Sequence, residues 1–496
     1  MIWDNNDLFC HDLPSSPQPE IGRILVTGAT GYIGGRLVPE LLSRGYEVRV
    51  MVRRASPEQR ELWPNAEIVA ADALEIDSLK KALEGIHTAY YLIHSLLLGQ
   101  KRFEAADIRA AVNFRKTAEE QKLKRIIYLG GLGDIKTDLS AHLKSRAFVA
   151  QELKKGKVAT TILRASIIIG SGSASYEIIQ HLVKNVRVFL IPKWARTQCQ
   201  PIGIRDVVKY LVGVLEIPET SGKVFDIGGR DILTYEMMLK IFADLHGKKR
   251  LFLPFPFSML RPFAYLASLL SPVPAPITLS LMEGVKNQVI CQNNEIMSFL
   301  PFQPIPYKEA LLRAMSREER DRVYTRWSDA YPPAHHLAIK LHELEEMPRY
   351  MSGSSLLTKK SASSLFYSIC KIGGKEGWFH SNWMWRLRGM LDRILMGVGT
   401  SRGRRSIGSL RINDVIGFWR VEDLRRDEML LLRAEMKLPG KAWLEFTIDS
   451  KDHDNRLSVT AFYQPRGLFG TIYWYTFLPL HRFIFSNLIE QIEKRS

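Results

Sequence analysis

Cysteine is scarce in this 496-residue chain: Cys10, Cys199, Cys291 and Cys370 stand far apart, with no C-x-x-C pair and no Cys/His cluster. That spacing argues against a zinc module or a disulfide framework, leaves no metal expected, and fits a reducing cytoplasm. Long unbroken apolar runs are also missing. Phe263 to Met282 carries no charge but is interrupted by Pro272, Pro274 and Pro276, and LFGTIYWYTFLPL stops short between Arg466 and His481. A spanning helix needs about 20 consecutive apolar residues, so neither reads as one. The opening MIWDNNDLFCHDLPSSPQPE has no basic start followed by an apolar stretch; it reads as a flexible extension over residues 1–20 rather than a secretory signal. Acidic residues are outnumbered, 52 against 69 basic, for a formal charge of +17. This favours anionic partners, whether phosphorylated cofactors, nucleic acid or acidic lipid headgroups. What is present is the composition of a globular protein, 46% hydrophobic and 24% charged, in a chain too long for one ordinary core.

The sharpest local signal is GRILVTGATGYIGGRLVPELLSRGYEVRVMVRR. An apolar strand at Ile24 to Thr27 runs through a glycine turn into a helical pattern and out to a second strand at Glu47 to Val52, which is a βαβ unit. In G-x-x-G-x-x-G spacing, Gly28 permits the tight turn, Gly31 lets the backbone approach a pyrophosphate, and Gly34 allows close packing of helix on strand. Thr30, Tyr32 and Ile33 complete the expected cofactor loop. Pro39 is an irregularity inside the helix, tolerable as a bend beyond the phosphate site.

About 20 residues past the glycines an NAD site places Asp or Glu against the ribose diol. Here Arg53 and Arg54 stand instead, and guanidinium groups suit a 2′-phosphate, so NADP(H) is expected over NAD(H). AEIVAADALE reads as a third strand ending at Asp72 and Ala73, where the carboxylate either accepts from the adenine amino group or serves as a helix N-cap. TAYYLIHSL reads as a fourth strand whose carboxyl end brings His94 and Ser95 toward the nicotinamide side.

VTGATGYIGG, Asp72, AAVNF with Asn113, RIIYLGGLG and FDIGG resemble an atypical short-chain dehydrogenase/reductase. YYLIHSL, SAHLKSR, IIIGSGSASYEII, TQCQPIGIRDVVKYL and RWSDAY further resemble the bacterial two-domain type with a C-terminal START-like domain of unknown function 2867. The resemblance implies a Ser after the fifth strand and a Tyr-x-x-x-Lys on the next helix, in which the Lys lowers the Tyr pKa for proton transfer. This chain has Gly130 and Gly131, then His142 and Arg146. The i, i+4 spacing keeps His142 and Arg146 on one helical face. They are either an altered proton-transfer pair or a structural pair.

A charged, then Pro- and Ser-bearing stretch marks a linker at 316–350, after an NAD(P)-binding domain at 21–315. Beyond it, MLLLRAEMK, KAWLEFTID and RLSVTAFYQ alternate with period two, which argues an antiparallel sheet. PLHRFIFSNLIEQIEK places Phe483, Ile484, Leu488 and Ile492 at helical spacing, for a helix packed on that sheet. The expected fold is therefore α/β, a Rossmann-like parallel sheet flanked by helices, followed at 351–496 by an α+β START-like helix-grip domain. Trp419, Trp443, Tyr473, Trp474 and Tyr475 are candidates to line an apolar cavity there, or its core. Arg433, Glu435 and Glu445 are expected to pair across strands. Arg386, Arg388, Arg393, Arg402, Arg404 and Arg405 concentrate positive charge without any nucleic-acid-binding motif, so no nucleic acid is expected; they read either as a surface for peripheral contact with an acidic membrane or as plainly solvated side chains.

The functional expectation is an NADP(H)-dependent oxidoreductase acting on an apolar quinone, isoprenoid or lipid held with help from the C-terminal domain. The alternative is a non-catalytic NADPH sensor or assembly factor, motivated by the missing Ser/Tyr/Lys set. A weaker third reading is a lipid carrier regulated by the nucleotide.

Overall fold

The computed structural model describes residues 10–53, 55, 57–93, 100–133, 139–319, 326–330, 340–344, 346–373, 377–378, 382–395, 397–399, 410–451 and 454–496. The chain forms two compact units, Met1–Leu270 with Pro276–Pro333, and Ser271–Ala275 with Ala334–Ser496.

The first unit is built on a parallel sheet of β1 (Ile24–Val26), β2 (Val48–Val52), β3 (Glu67–Ala70), β4 (Thr88–Tyr91), β5 (Arg125–Gly131), β6 (Ala159–Ala165) and β7 (Val224–Ile227), in the order β7-β6-β5-β4-β1-β2-β3. β1, β2 and β4 are buried throughout, as strands covered on both faces must be. Alternation sorts their side chains. Ile24 and Val26 face a core shared with helices Gly34–Ser43 and Ile204–Glu216, whereas Leu25 faces one shared with Ile76–Leu83 and Gln100–Glu120. Between β1 and β4 the strand order reverses, which opens a crevice at their carboxyl ends. The first helix runs through Pro39 as one element.

Two boundaries differ from expectation. Residues 10–18 are anchored, not loose: the Cys10 backbone N–H donates to Glu40 at 2.9 Å, the Ser15 hydroxyl to Glu216 at 2.5 Å, and Gln18 N–H to the Tyr46 hydroxyl at 2.9 Å. Glu40 and Glu216 are buried carboxylates on two helices, and buried acceptors require donors. The first unit also continues past residue 315. Its helix runs Tyr307–Glu319, and Trp327 N–H donates to the Gly172 carbonyl at 2.9 Å. The uncharged run from Phe263 divides, in line with its interruption by prolines, into helices Leu260–Leu270 and Ala275–Gly284; among the described residues no helix is long and apolar enough to cross a membrane.

The second unit is an antiparallel sheet of β8 (Tyr350–Thr358), β9 (Val415–Ile416), β10 (Trp419–Arg425), β11 (Met429–Ala434), β12 (Gly440–Lys451) and β13 (Asp454–Pro465), ordered β8-β13-β12-β11-β10-β9. A helix, Gly467–Lys494, packs mainly on β8 and β13. It absorbs LFGTIYWYTFLPL as its first half. Ile484, Leu488 and Ile492 are buried as expected, but Phe483 is exposed and Phe485 takes the inward place.

The aromatic residues proposed as cavity lining separate into groups. Trp443 is fully buried and its indole N–H donates to Glu422 at 3.1 Å. Trp419 clusters with Trp378, Trp385 and Phe418. Tyr473 and Trp474 pack on Tyr463, and Tyr475 is exposed against Tyr350. The pairing across strands joins Arg433 to Glu422 at 3.6 Å and Glu435 to Arg420 of β10, while Arg433 and Glu435, two residues apart in sequence, also meet at 3.6 Å; Glu445 interacts with Arg425. Arg393 is buried and donates to the Val273 carbonyl at 3.2 Å, so it is no part of a surface basic patch, and Arg402, Arg404 and Arg405 lie outside the described residues.

Candidate dinucleotide and substrate site

Gly28 closes β1 in a left-handed conformation, φ +62°, and a side-chain carbon there would lie 2.5 Å from the Leu92 carbonyl oxygen. Gly31 N–H donates to the Gly28 carbonyl at 2.9 Å, which closes the turn. At Gly34 an added carbon would stand 2.5 Å from the Gly28 oxygen and 2.6 Å from the Ala29 Cα. Only glycine permits the helix to start this close to the strand. The helix begins without a side-chain cap, since Ile33 occupies that position, so its first amides have no side-chain acceptor. A glycine cradle at an uncapped helix start beside the topological switch point fits a pyrophosphate.

Thr27 braces the crevice: its hydroxyl donates to the Tyr90 carbonyl at 2.9 Å and accepts Leu92 N–H at 3.0 Å. Thr30 is exposed at the turn, while Ile33 packs on the core. The Tyr32 ring lies beneath the Arg36 guanidinium, 4.1 Å from its centroid. Arg36 donates to the Tyr32 carbonyl at 3.0 Å and to the Ser171 carbonyl at 2.9 Å, so it ties the glycine loop to the segment after β6. Sequence reading missed Arg36, because nothing in a linear pattern shows that residue 171 lies beside residue 36.

At the far end of the crevice Arg53 follows β2 directly and reaches solvent. Desolvation by its surroundings lowers the Arg53 pKa, and the Asp72 carboxylate, close enough to act on it, works in the opposite direction. Asp72 Oδ1 accepts Leu74 N–H at 2.9 Å, a turn that leads into Ile76–Leu83, whose N-cap is Glu75 rather than Asp72. Asn113 donates to the carbonyls of Ala73 and Leu74, each at 3.2 Å, which holds that turn against the long helix. Arg54, His94 and Ser95 lie outside the described residues.

β5 ends in Gly130 and Gly131, and the next helix, Ala141–Lys154, is capped by the Ser140 hydroxyl. Arg146 lies over Gly131, where an added carbon would meet its Cδ at 3.5 Å. Its guanidinium donates to the Leu129 carbonyl at 2.5 Å, and the Tyr128 hydroxyl donates to the Arg146 carbonyl at 3.2 Å. These bonds fix the helix against β5.

His142, Arg146, Gly130 and Gly131 together form part of the wall of a cavity of about 480 Å³. The remainder is mainly apolar, including Ile178, Leu182, Phe189, Met238, Leu281 and Met282, with Ser166, Ser175 and Tyr235 as polar elements. It lies within the first unit, not among the aromatic residues of the second. Its walls come from segments spread between residues 130 and 289, so no sequence window revealed it. The nearest signal was Ile178, Ile179 and Leu182 at helical spacing in SASYEIIQHLV.

Residues 28–181 match the NAD(P)H-binding family, and residues 348–488 match the family described as protein of unknown function, DUF2867. The chain is 24% identical over 298 residues, 57% of its own length and 74% of the relative's, to NADH dehydrogenase (ubiquinone) 1 alpha subcomplex subunit 9, mitochondrial, of Arabidopsis thaliana. It is 30% identical over 118 residues to 3 beta-hydroxysteroid dehydrogenase/Delta 5→4-isomerase of Mycobacterium tuberculosis, covering 22% of this chain and only 31% of that relative. A solved nucleoside-diphosphate-sugar epimerase from Staphylococcus aureus superposes with a TM-score of 0.49 at 17% identity, over 58% of this chain and 99% of that one. The chain thus joins an NAD(P)H-binding domain of Rossmann-like fold to a second domain that matches DUF2867.

Proposed function

We propose that the chain is an NADP(H)-dependent oxidoreductase whose substrate is an apolar carbonyl compound such as a quinone or an isoprenoid or lipid ketone. The observation that carries this reading is the apolar cavity that starts at His142, Arg146 and the carboxyl end of β5, where parallel sheets of this type gather ligand contacts. The dinucleotide, when bound, supplies or takes up a hydride. Gly28, Gly31 and Gly34, with Thr30, Tyr32 and Ile33, hold its pyrophosphate. Arg53, with Arg54, takes the 2′-phosphate; Asp72 and Ala73 border the adenine; His94 and Ser95 border the nicotinamide. Were the dinucleotide to supply a hydride to the substrate, His142 in its imidazolium form would give the proton to the substrate oxygen, so that a ketone would leave as an alcohol or a quinone as a hydroquinone and His142 would be left as neutral imidazole. Arg146 keeps the His142 helix against β5 through its bond to the Leu129 carbonyl.

A second reading, a non-catalytic NADPH sensor, is favoured by that same engagement of Arg146 with the Leu129 carbonyl and by the absence of any hydroxyl at Gly130 and Gly131. Single-turnover oxidation of bound NADPH by a panel of quinones and isoprenoid ketones separates the two. The oxidoreductase reading predicts consumption that His142→Phe slows by about a hundredfold and that Leu182→Trp, which fills the cavity, suppresses through KM. NADPH that binds but is never consumed by the wild type overturns it in favour of the sensor.

A further inference from the structure

The cavity opens beside a surface that solvent alone does not explain. Strand Val188–Ile191 pairs in parallel with Leu251–Pro254, in the register Val188↔Leu251, Phe189↔Phe252, Leu190↔Leu253. Period two then splits the ribbon. Phe189 is buried in the cavity wall and stacks on Phe252 at 5.1 Å, while Val188, Leu190, Leu251 and Leu253 all point outward and are 46%, 44%, 54% and 41% exposed. Phe257 and Leu266 extend the exposed apolar surface, at 61% and 52%. Val188, Leu190 and Leu266 are at once part of this outer face and part of the cavity wall, so the apolar interior is continuous with an apolar exterior. Contiguous exposed apolar patches on soluble proteins mark interaction sites.

Charge says which partner. The two strands start side by side, with Leu251 N–H donating to the Arg187 carbonyl at 3.1 Å. That register gathers the exposed Arg187, Lys248 and Lys249 at one end of the ribbon; exposed Lys193 follows the other end, and exposed Arg261 begins the adjoining helix. An apolar face bordered by cations is the pattern of a surface that settles into the headgroup region of an anionic bilayer.

We propose that this face docks on an anionic lipid bilayer, so that the cavity mouth opens into the membrane and the substrate enters from the lipid phase. The inference rests on the reading of the cavity as the substrate chamber. Its test uses no substrate: the full chain is mixed with vesicles of phosphatidylcholine, with or without phosphatidylglycerol, and pelleted. The wild type is expected to pellet with anionic vesicles and to release in high salt. Leu251→Glu/Leu253→Glu and, separately, Lys248→Glu/Lys249→Glu are expected to lower partitioning by roughly tenfold or more, with NADPH affinity and thermal midpoint unchanged. Equal pelleting of wild type and both variants overturns the proposal. So does a wild type that ignores vesicles but forms a dimer that Leu251→Glu/Leu253→Glu dissolves, because the face is then a contact between copies. Failure to consume NADPH in detergent, with vesicle binding intact, counts against the catalytic reading and not against docking.

Discussion

Gly31→Ala separates a structural glycine from a ligand-facing one. A methyl carbon at position 31 would stand 3.1 Å from the Gly28 carbonyl oxygen, a few tenths of an ångström inside an ordinary contact. The fold can absorb that, and the helix start tolerates Ala well, so stability should change by no more than about 1 kcal/mol. The ligand cannot absorb it. A pyrophosphate seated against these amides must withdraw by roughly the thickness of the methyl, which breaks one or two charge-assisted hydrogen bonds worth about 1.5–3 kcal/mol each. At about 1.4 kcal/mol per tenfold, NADPH affinity should fall by about ten- to a hundredfold or more. Fluorescence titration of bound NADPH, run beside thermal melts, reads both quantities. An affinity within twofold of wild type, with the melt unchanged, would refute the placement of the pyrophosphate. Gly34→Ala is a poorer probe, because its clash is with backbone at 2.5 Å and the fold itself must shift.

Arg53→Asp should invert cofactor preference, weakening NADPH by about ten- to a hundredfold while leaving NADH within a few-fold, as parallel titrations would show. Asp206 supplies a pH test. Burial pushes its carboxyl pKa up to about 6 from 3.8, against the pull of the Ile305 N–H and of Lys209, Arg205 and Arg313. Between those values the folded state holds a proton that the unfolded state has lost, so Asp206 withdraws stability as pH rises from about 4 to about 6, by up to about 3 kcal/mol. Asp206→Asn should therefore gain stability over wild type progressively across that window, in melts compared pH by pH; a constant difference contradicts the assignment.

The parts legible in sequence were those written in short-range pattern. The glycine spacing from Gly28 to Gly34 and the apolar strands ILV and VRVMV declare a βαβ unit because turn geometry and two-sided burial each restrict residue type locally. The alternation in KAWLEFTID and RLSVTAFYQ similarly announced the antiparallel sheet. What stayed hidden depends on distant chain segments. The anchoring of residues 10–18 follows from buried carboxylates at Glu40 and Glu216, which no local pattern marks as buried. Arg36 reaches Ser171, and Trp327 reaches Gly172, across more than a hundred residues of chain. Helical spacing alone favoured Phe483, but the sheet beneath the helix selects Phe485. His142 and Arg146 were correctly placed on one face by their i, i+4 spacing; that the face looks into an apolar chamber needed the walls from residues 178 to 289.

The central claim is that the crevice between β1 and β4 receives a phosphorylated pyridine dinucleotide. Isothermal titration calorimetry of the intact chain with NADPH and with NADH tests it most directly. Saturable binding of NADPH to one site, at least tenfold tighter than NADH, is the predicted result. Absence of heat or saturation with either dinucleotide, from protein shown by its melt to be folded, would contradict it.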